Sequence, residues 1–290
     1  VKFDWNWINK TKSLAWNYFP NSNFTVQTML SKTEYNFDVG FEIDFSSIQD
    51  DVDEYCEEND SIPNDTTFIA DLNYILDNKV RDISLNQDIK YFINDKLDLE
   101  FGWEAKYLKM TYSEEFADQQ TYNNDENPNI NSGYLKALYK PNPILSFDLG
   151  LRISKSSYYS NNIFDPRIGI KYMANSDLAL KFMWGKFSQF MFTINQDEEL
   201  LRLVDFWQAI GKNQLPQANQ HFVLGLEYWI SDGNIFTMEM YYKPYSTLYD
   251  LSVVYTDVTD ESSFFTSGEG QNSGIELLYQ FNKNKINGWV

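Results

Sequence analysis

The chain of 290 residues has little of what usually carries chemistry. It holds one cysteine, Cys56, and one histidine, His221. One cysteine rules out an internal disulfide framework and a cysteine-built zinc site. One histidine rules out a histidine-rich metal centre, and no residue pattern calls for a cofactor. Basic residues are scarce: 23 Lys and Arg stand against 42 Asp and Glu, a net charge of −19. This argues against nucleic acid as a partner, because phosphate contacts need a basic face. No run of about 18 apolar residues occurs, which argues against membrane-spanning helices. Neither end reads as a signal peptide.

Aromatic residues are abundant, with 20 Tyr, 22 Phe and 8 Trp. That is more than an ordinary core uses, and it suits the aromatic girdles and loops of a membrane barrel. The mean hydropathy of −0.48 resembles that of a soluble chain. A barrel tolerates it, since only alternate residues face lipid.

The clearest pattern lies between Pro143 and Gln189. Leu145, Phe147, Leu149, Leu151 and Ile153 alternate with small or polar residues. Ile168, Ile170 and Tyr172 repeat the pattern, as do Leu178, Leu180, Phe182 and Trp184. Strand side chains alternate between faces, so each segment has an apolar and a wetter face. Pro20–Asn23, Asn94-Asp95, Pro141–Pro143, Ala174–Asp177, Ser231–Asn234 and Asn282–Lys285 are short turns. Longer polar stretches join the other strand ends. We expect loops at 46–79, 113–131, 190–219 and 250–270, and a bulge near Ser31–Glu34, where the apolar parity of one long strand changes. EELLRLVDFWQAIGK has helical spacing, with Leu200, Leu203, Val204 and Trp207 on one side, and predicts a short helix. The sum is about twelve antiparallel strands with short turns at one rim and long loops at the other, an all-β transmembrane barrel.

Several segments carry a family resemblance. FDPRIGIKYMANSDLALKFMWGKFSQF has a Pro-Arg before one strand and a Gly-x-Phe-x-Gln after the next. LPQANQHFVLGLEYWI, FTMEMYYKPYSTLYDL and GEGQNSGIELLYQFNKNKINGWV follow in order. Together they resemble the barrel of TonB-dependent outer-membrane receptors, most strongly over 144–290. The resemblance implies a barrel of about 22 strands, of which residues 1–290 supply a middle section of about twelve. It also implies active import of a scarce ligand (an iron chelate, cobalamin, a glycan or a peptide). Implied partners are outer-membrane lipid and lipopolysaccharide, and a TonB-type energy-coupling protein acting through a plug and box. Neither the plug nor the box is recognisable in this sequence, and the chain reads as an excerpt of a longer one.

Candidate site residues follow from residue type. Tyr122, Phe206, Trp207, Phe264 and Phe265 lie in the aromatic, amide-rich loops and are candidate ligand contacts. Asp148, Arg152, Lys171, Lys181, Glu239 and Glu276 belong on the lumen side, because a charge facing lipid at mid-membrane costs about 2–4 kcal/mol. The acidic run Asp50–Asp60 lacks the spacing of a calcium loop and reads as solvated. His221 is the one candidate base. Alone at the start of a strand it reads as structural, so no catalytic residue is assigned. The rival readings are a complete small passive channel, an outer-membrane lipase and a soluble sandwich.

Overall fold

The computed structural model describes residues 2–44, 71–117, 119–194, 206–251, 265–283 and 286–290. All elements in them are strands: β1 (Lys2–Asn21), β2 (Phe24–Asp44), β3 (Asp71–Asn94), β4 (Leu97–Phe116), β5 (Gln119–Glu126), β6 (Asn129–Asn142), β7 (Leu145–Ser156), β8 (Ile163–Asn175), β9 (Leu178–Gln189), β10 (Met191–Ile194), β11 (Phe206–Ala209), β12 (Gln217–Ser231), β13 (Asn234–Leu251), β14 (Phe265–Lys283) and β15 (Ile286–Trp289). The main sheet runs β1-β2-β3-β4-β6-β7-β8-β9-β12-β13-β14-β15, with β5 pairing β4, and β10-β11 form a separate two-stranded hairpin. Every pairing is antiparallel, as connections too short for a crossover require.

The tight connections share one device. Asn21, Asn94, Asn142 and Asn175 each accept, through the side-chain oxygen, the backbone N–H two residues on, at 2.8–3.0 Å. An asparagine in this role imitates a backbone turn and reverses the chain within a few residues. The β12–β13 turn instead uses Gly233, at φ 80°, where a side chain would be strained.

The long strands explain the parity change. No register shift occurs in β2 near Ser31–Glu34, so the expected bulge is absent. The apolar residues change face instead. In the lower part of β2, Phe24, Val26 and Leu30 occupy one face. In the upper part, Tyr35, Phe37 and Val39 occupy the other. β1 changes from Leu14, Trp16 and Tyr18 to Phe3, Trp5 and Trp7. β3 changes from Ile83, Leu85 and Ile89 to Tyr74, Leu76 and Val80. β4 changes from Phe101, Trp103 and Tyr107 to Leu108, Met110 and Tyr112. The four changes are in register: Lys12 pairs Lys32, Lys32 pairs Ile83, and Ile83 pairs Tyr107. Past this level the formerly apolar face carries Lys32, Glu34, Arg81 and Lys109, with Glu34 bonded to both Lys32 and Arg81. A change of solvent outside the sheet, from apolar to aqueous, produces this pattern without any backbone irregularity.

Three further expectations are corrected. Residues 113–131 are mostly strand: β4 runs on to Phe116, and β5 continues the line of β6 beside it, interrupted at Asn127-Pro128. Gln, Asn and Asp are poor strand formers in isolation, but here alternate positions turn inward, and Asn124 and Glu126 are buried. The 46–79 and 250–270 loops are shorter than expected, since Asp71–Lys79 belongs to β3, and the last residues of the second stretch belong to β14. The predicted helix does not include Phe206–Ala209, which pairs with Met191–Ile194 as a hairpin. Leu200, Leu203, Val204 and the acidic run at 50–60 lie outside the described residues.

The sheet is curled. β3 and β13 stand seven places apart in the strand order, about 34 Å along a flat sheet. Yet the one narrow hairpin touches both ends of this span. Phe206 packs on Phe37 of β2 and Tyr112 of β4, while Phe192 packs on Tyr249 of β13 and Phe265 of β14. Only a sheet concave toward the hairpin allows this, so the face carrying Phe37 and Tyr112 is the inner one.

Candidate functional site

The inner face has two zones. Near the short-turn rim it is charged, and register places Asp148, Arg152, Lys171, Lys181, Glu239 and Glu276 there, opposite the apolar rows. Lys136 meets Asp148 at 3.1 Å. Arg152 bonds Glu104. Lys171 and Lys181 share Glu227, the first at 3.4 Å. Glu239 and Glu276 face each other directly across β13–β14. Asp148 and Arg152 are brought together in a cavity of about 490 Å³ that also takes in Tyr134, Lys136 and Arg167. The charges are half-exposed, so each pair contributes about 0–1 kcal/mol to stability and acts mainly to set the wall's potential.

Small residues make room on this wall. Gly102 lies opposite Tyr134, and a Cβ there would sit 2.5 Å from the Gln87 carbonyl and 2.7 Å from the tyrosine ring. Tyr134 thus lies over bare backbone and donates to Asp88 while also meeting Glu100. Gly274 holds Tyr241 in the same way.

Toward the long-loop rim the inner face turns apolar, and the hairpin folds onto it. The hairpin leaves the sheet between β9 and β12 and reaches back past β8, β7 and β6 to pack on β3 and β4. Phe206 and Phe192 are buried with Phe37, Val39, Leu76, Tyr112 and Ile210. Asn78, fully buried, latches the hairpin. Its Nδ2 donates to the Trp207 carbonyl at 3.0 Å and its Oδ1 accepts the Trp207 N–H at 2.9 Å. A side-chain amide thereby imitates a neighbouring strand. The buried Asn124 adds a bond to Gln208 at 2.9 Å. On the return, Asn213 donates to the Tyr158 carbonyl and Tyr249 Oη donates to the Leu215 carbonyl, each at 2.8 Å. Burial, and then the hydrogen bond with Glu126, pushes the Tyr158 phenol up to about 12, so it stays protonated and bonded to Asn127 at neutral pH.

Four of the five ligand candidates lie in or beside this hairpin. Phe206 is buried, with no ring face left open. Tyr122 is half-buried against Tyr112. Trp207 is half-buried and lines a cleft of about 550 Å³ between the hairpin and β12–β14. Phe265 packs on Phe192 at 5.1 Å. Phe264 lies outside the described residues. His221 packs on Phe187 with ring centroids 4.5 Å apart and planes tilted by 37°, and among the described residues no hydroxyl or carboxylate hydrogen-bonds it. Sequence reasoning missed Asn78 and Asn124. An asparagine inside a strand gives no signal until its partner strand is known.

The family described as TonB dependent receptor-like, beta-barrel matches residues 2–290. No curated protein matches the chain. Among solved structures, the chain is similar to the RagAB peptide importer in its closed-closed state, at 13% identity and a TM-score of 0.57, over 99% of this chain and 36% of that one. It is also similar to the siderophore receptor PirA from Pseudomonas aeruginosa, at 10% identity and a TM-score of 0.53, over 96% of this chain and 54% of that one. For the ferric-catecholate import receptor Fiu from K12 E. coli the identity is 9% and the TM-score 0.57, over 96% of this chain and 45% of that one. The chain therefore spans between about a third and about half of the length of these structures.

Proposed function

Since the chain belongs to the TonB-dependent receptor-like β-barrel family, an outer-membrane family, we propose that it forms the wall and outer mouth of an active importer. The apolar face meets outer-membrane lipid and lipopolysaccharide. The charged inner face lines the lumen and faces a plug. A TonB-type protein acts on that plug with energy from the inner membrane. The wall performs no bond chemistry: His221 serves as a packing group beside Phe187. By name the similar structures are a peptide importer, a siderophore receptor and a ferric-catecholate import receptor, and a scarce ligand of this kind is captured at the mouth, where Trp207 and Phe265 lie and where Tyr122 and Phe206 support the hairpin.

The observation that carries this reading is the registered change of apolar face across β1–β4. It supports a wall that crosses a membrane and extends well into the water beyond it, where a mouth can be built. The test is fractionation of the native protein followed by intact mass and peptide mapping. The reading expects outer-membrane fractionation and a mass two to three times the 34.1 kDa of these residues, with peptides mapping to a plug. A detergent-free soluble species, or an outer-membrane protein of about 34.1 kDa conducting passively, contradicts it.

A further inference from the structure

We propose that the outer wall of β1–β4 carries a binding site for the phosphate groups of an outer-leaflet glycolipid, an inference that rests on the reading of this wall as membrane-spanning. The chain is strongly acidic, yet Lys10, Lys12, Lys32, Lys79, Arg81 and Lys109 gather on one patch of the outer face. Register sets the patch. Lys12 stands opposite Lys32, Lys10 opposite Glu34, Glu34 opposite Arg81, and Arg81 opposite Lys109. Lys79 lies one step further along β3, opposite Asn36. The patch is about 14 Å wide across its four strands. All six basic side chains are exposed. Among the described residues Glu34 is the one carboxylate inside the patch. Asp77 and Asp125 stand at its border, bonded to Lys79 at 2.6 Å and to Lys109 at 3.4 Å.

The position of the patch points to a lipid headgroup. Toward the short-turn rim, Leu14, Leu30 and Leu85 follow in register on the same face, so the patch begins where the apolar rows end. Short turns mark the periplasmic side of such a barrel, which puts this boundary at the outer leaflet, where headgroup phosphates lie. Tyr107 closes the first row of the patch, as tyrosine does at a membrane–water interface. Two features favour a bound anion over bases that merely reach for water. Lys12 and Lys32 face each other directly, a repulsive pair that an anion between them relieves. Lys32 and Arg81 are both held by the single carboxylate of Glu34, at 2.6 Å and 3.4 Å, so they are positioned in advance and keep an excess positive charge. Ammonium and guanidinium groups make charge-assisted hydrogen bonds to phosphate. The acyl chains of the same lipid lie along Leu14, Leu30 and Leu85, so a glycolipid gains both contacts where free phosphate gains one.

The test is titration of the full-length native protein, delipidated in detergent, with three probes read by native mass spectrometry: phosphorylated lipid A, the same lipid after removal of its phosphates, and inorganic pyrophosphate. The phosphorylated lipid is expected to bind at least about tenfold more tightly than either other probe, with affinity falling as salt is raised. The triple variant Lys12→Gln/Lys32→Gln/Arg81→Gln is expected to lose at least about tenfold for the phosphorylated lipid while its thermal unfolding is unchanged. Lys155→Gln/Lys186→Gln, which removes bases from β7 and β9, is expected to keep native affinity. Equal binding of the dephosphorylated lipid overturns the proposal, and so does a folded triple variant with native affinity. Pyrophosphate binding as tightly as the lipid overturns the lipid as occupant, and an equal loss in the β7–β9 variant overturns the location. The comparison of the three probes on the unaltered protein decides the matter if the triple variant does not fold. Fractionation and uptake separate the two levels. An outer-membrane protein with energy-dependent uptake that does not discriminate the phosphorylated lipid overturns the lipid site and keeps the receptor reading. Discriminating lipid binding by a protein that conducts passively does the reverse.

Discussion

At the scale of single residues, the inner wall depends on a few positions where one atom decides the outcome. Gly102 is one, because the Gln87 carbonyl and the Tyr134 ring already occupy the space of a side chain. Gly102→Ala should push Tyr134 away from Asp88 and Glu100 and destabilise the barrel by about 1–3 kcal/mol. Thermal unfolding in detergent reads this, and Gly268→Ala, which meets nothing within 4 Å, serves as the control. Asn78 is the other. Replacing it with leucine keeps the volume but leaves the N–H and carbonyl of Trp207 buried and unbonded, a cost of about 1–3 kcal/mol for each group. Hydrogen exchange at Phe206–Ala209 should then rise at least tenfold, while exchange in β7–β9 stays the same. Equal protection of the hairpin in Asn78→Leu would show that aromatic packing alone holds it.

At the scale of elements, the strands were legible and the hairpin was not. Alternation identified β7, β8 and β9 because they cross a single apolar zone, where period two is unbroken. In β2 the same alternation changed parity, and a bulge was the local explanation. The correct one is non-local: β1, β3 and β4 change face at the same level. Residues 119–126 looked like a loop because glutamine, asparagine and aspartate dominate them, yet they form β5, where Asn124 and Glu126 are buried beside the hairpin. The helical period rested on Leu200, Leu203, Val204 and Trp207, of which Trp207 alone lies in Phe206–Ala209, and the pairing of that strand with Met191–Ile194 closes a long connection. Among the candidate residues, alternation with apolar neighbours assigns the six charges only to the face opposite the apolar rows. The ligand candidates were not legible, since residue type alone cannot say whether a loop aromatic is buried like Phe206 or lines a cleft like Trp207. The face change also makes a prediction. Leu180→Arg, in the apolar band, should cost about 2–4 kcal/mol and lower the yield of folded barrel. Ser113→Lys lies on the same face past the change, beside Asp77, and should cost almost nothing. Refolding yield by heat-modifiable gel shift measures both. Equal effects would mean that β4 has no aqueous segment.

At the scale of the whole molecule, the curled sheet separates three environments. In the proposed receptor, lipid would meet the outer apolar rows, the charged inner face would line a lumen, and the hairpin would narrow an outer mouth. A passive channel and an energised importer both fit such a wall, and they differ in whether transport stops when energy is withdrawn. The direct measurement uses cells in which this protein is the sole outer-membrane route for a defined peptide and ferric-chelate mixture. Depletion of each compound from the medium is followed by mass spectrometry, with and without a protonophore. The account predicts that at least one compound is depleted by energised cells and that its depletion stops when the proton gradient is collapsed. Depletion that continues at the same rate without the gradient would contradict it and make this wall a passive pore.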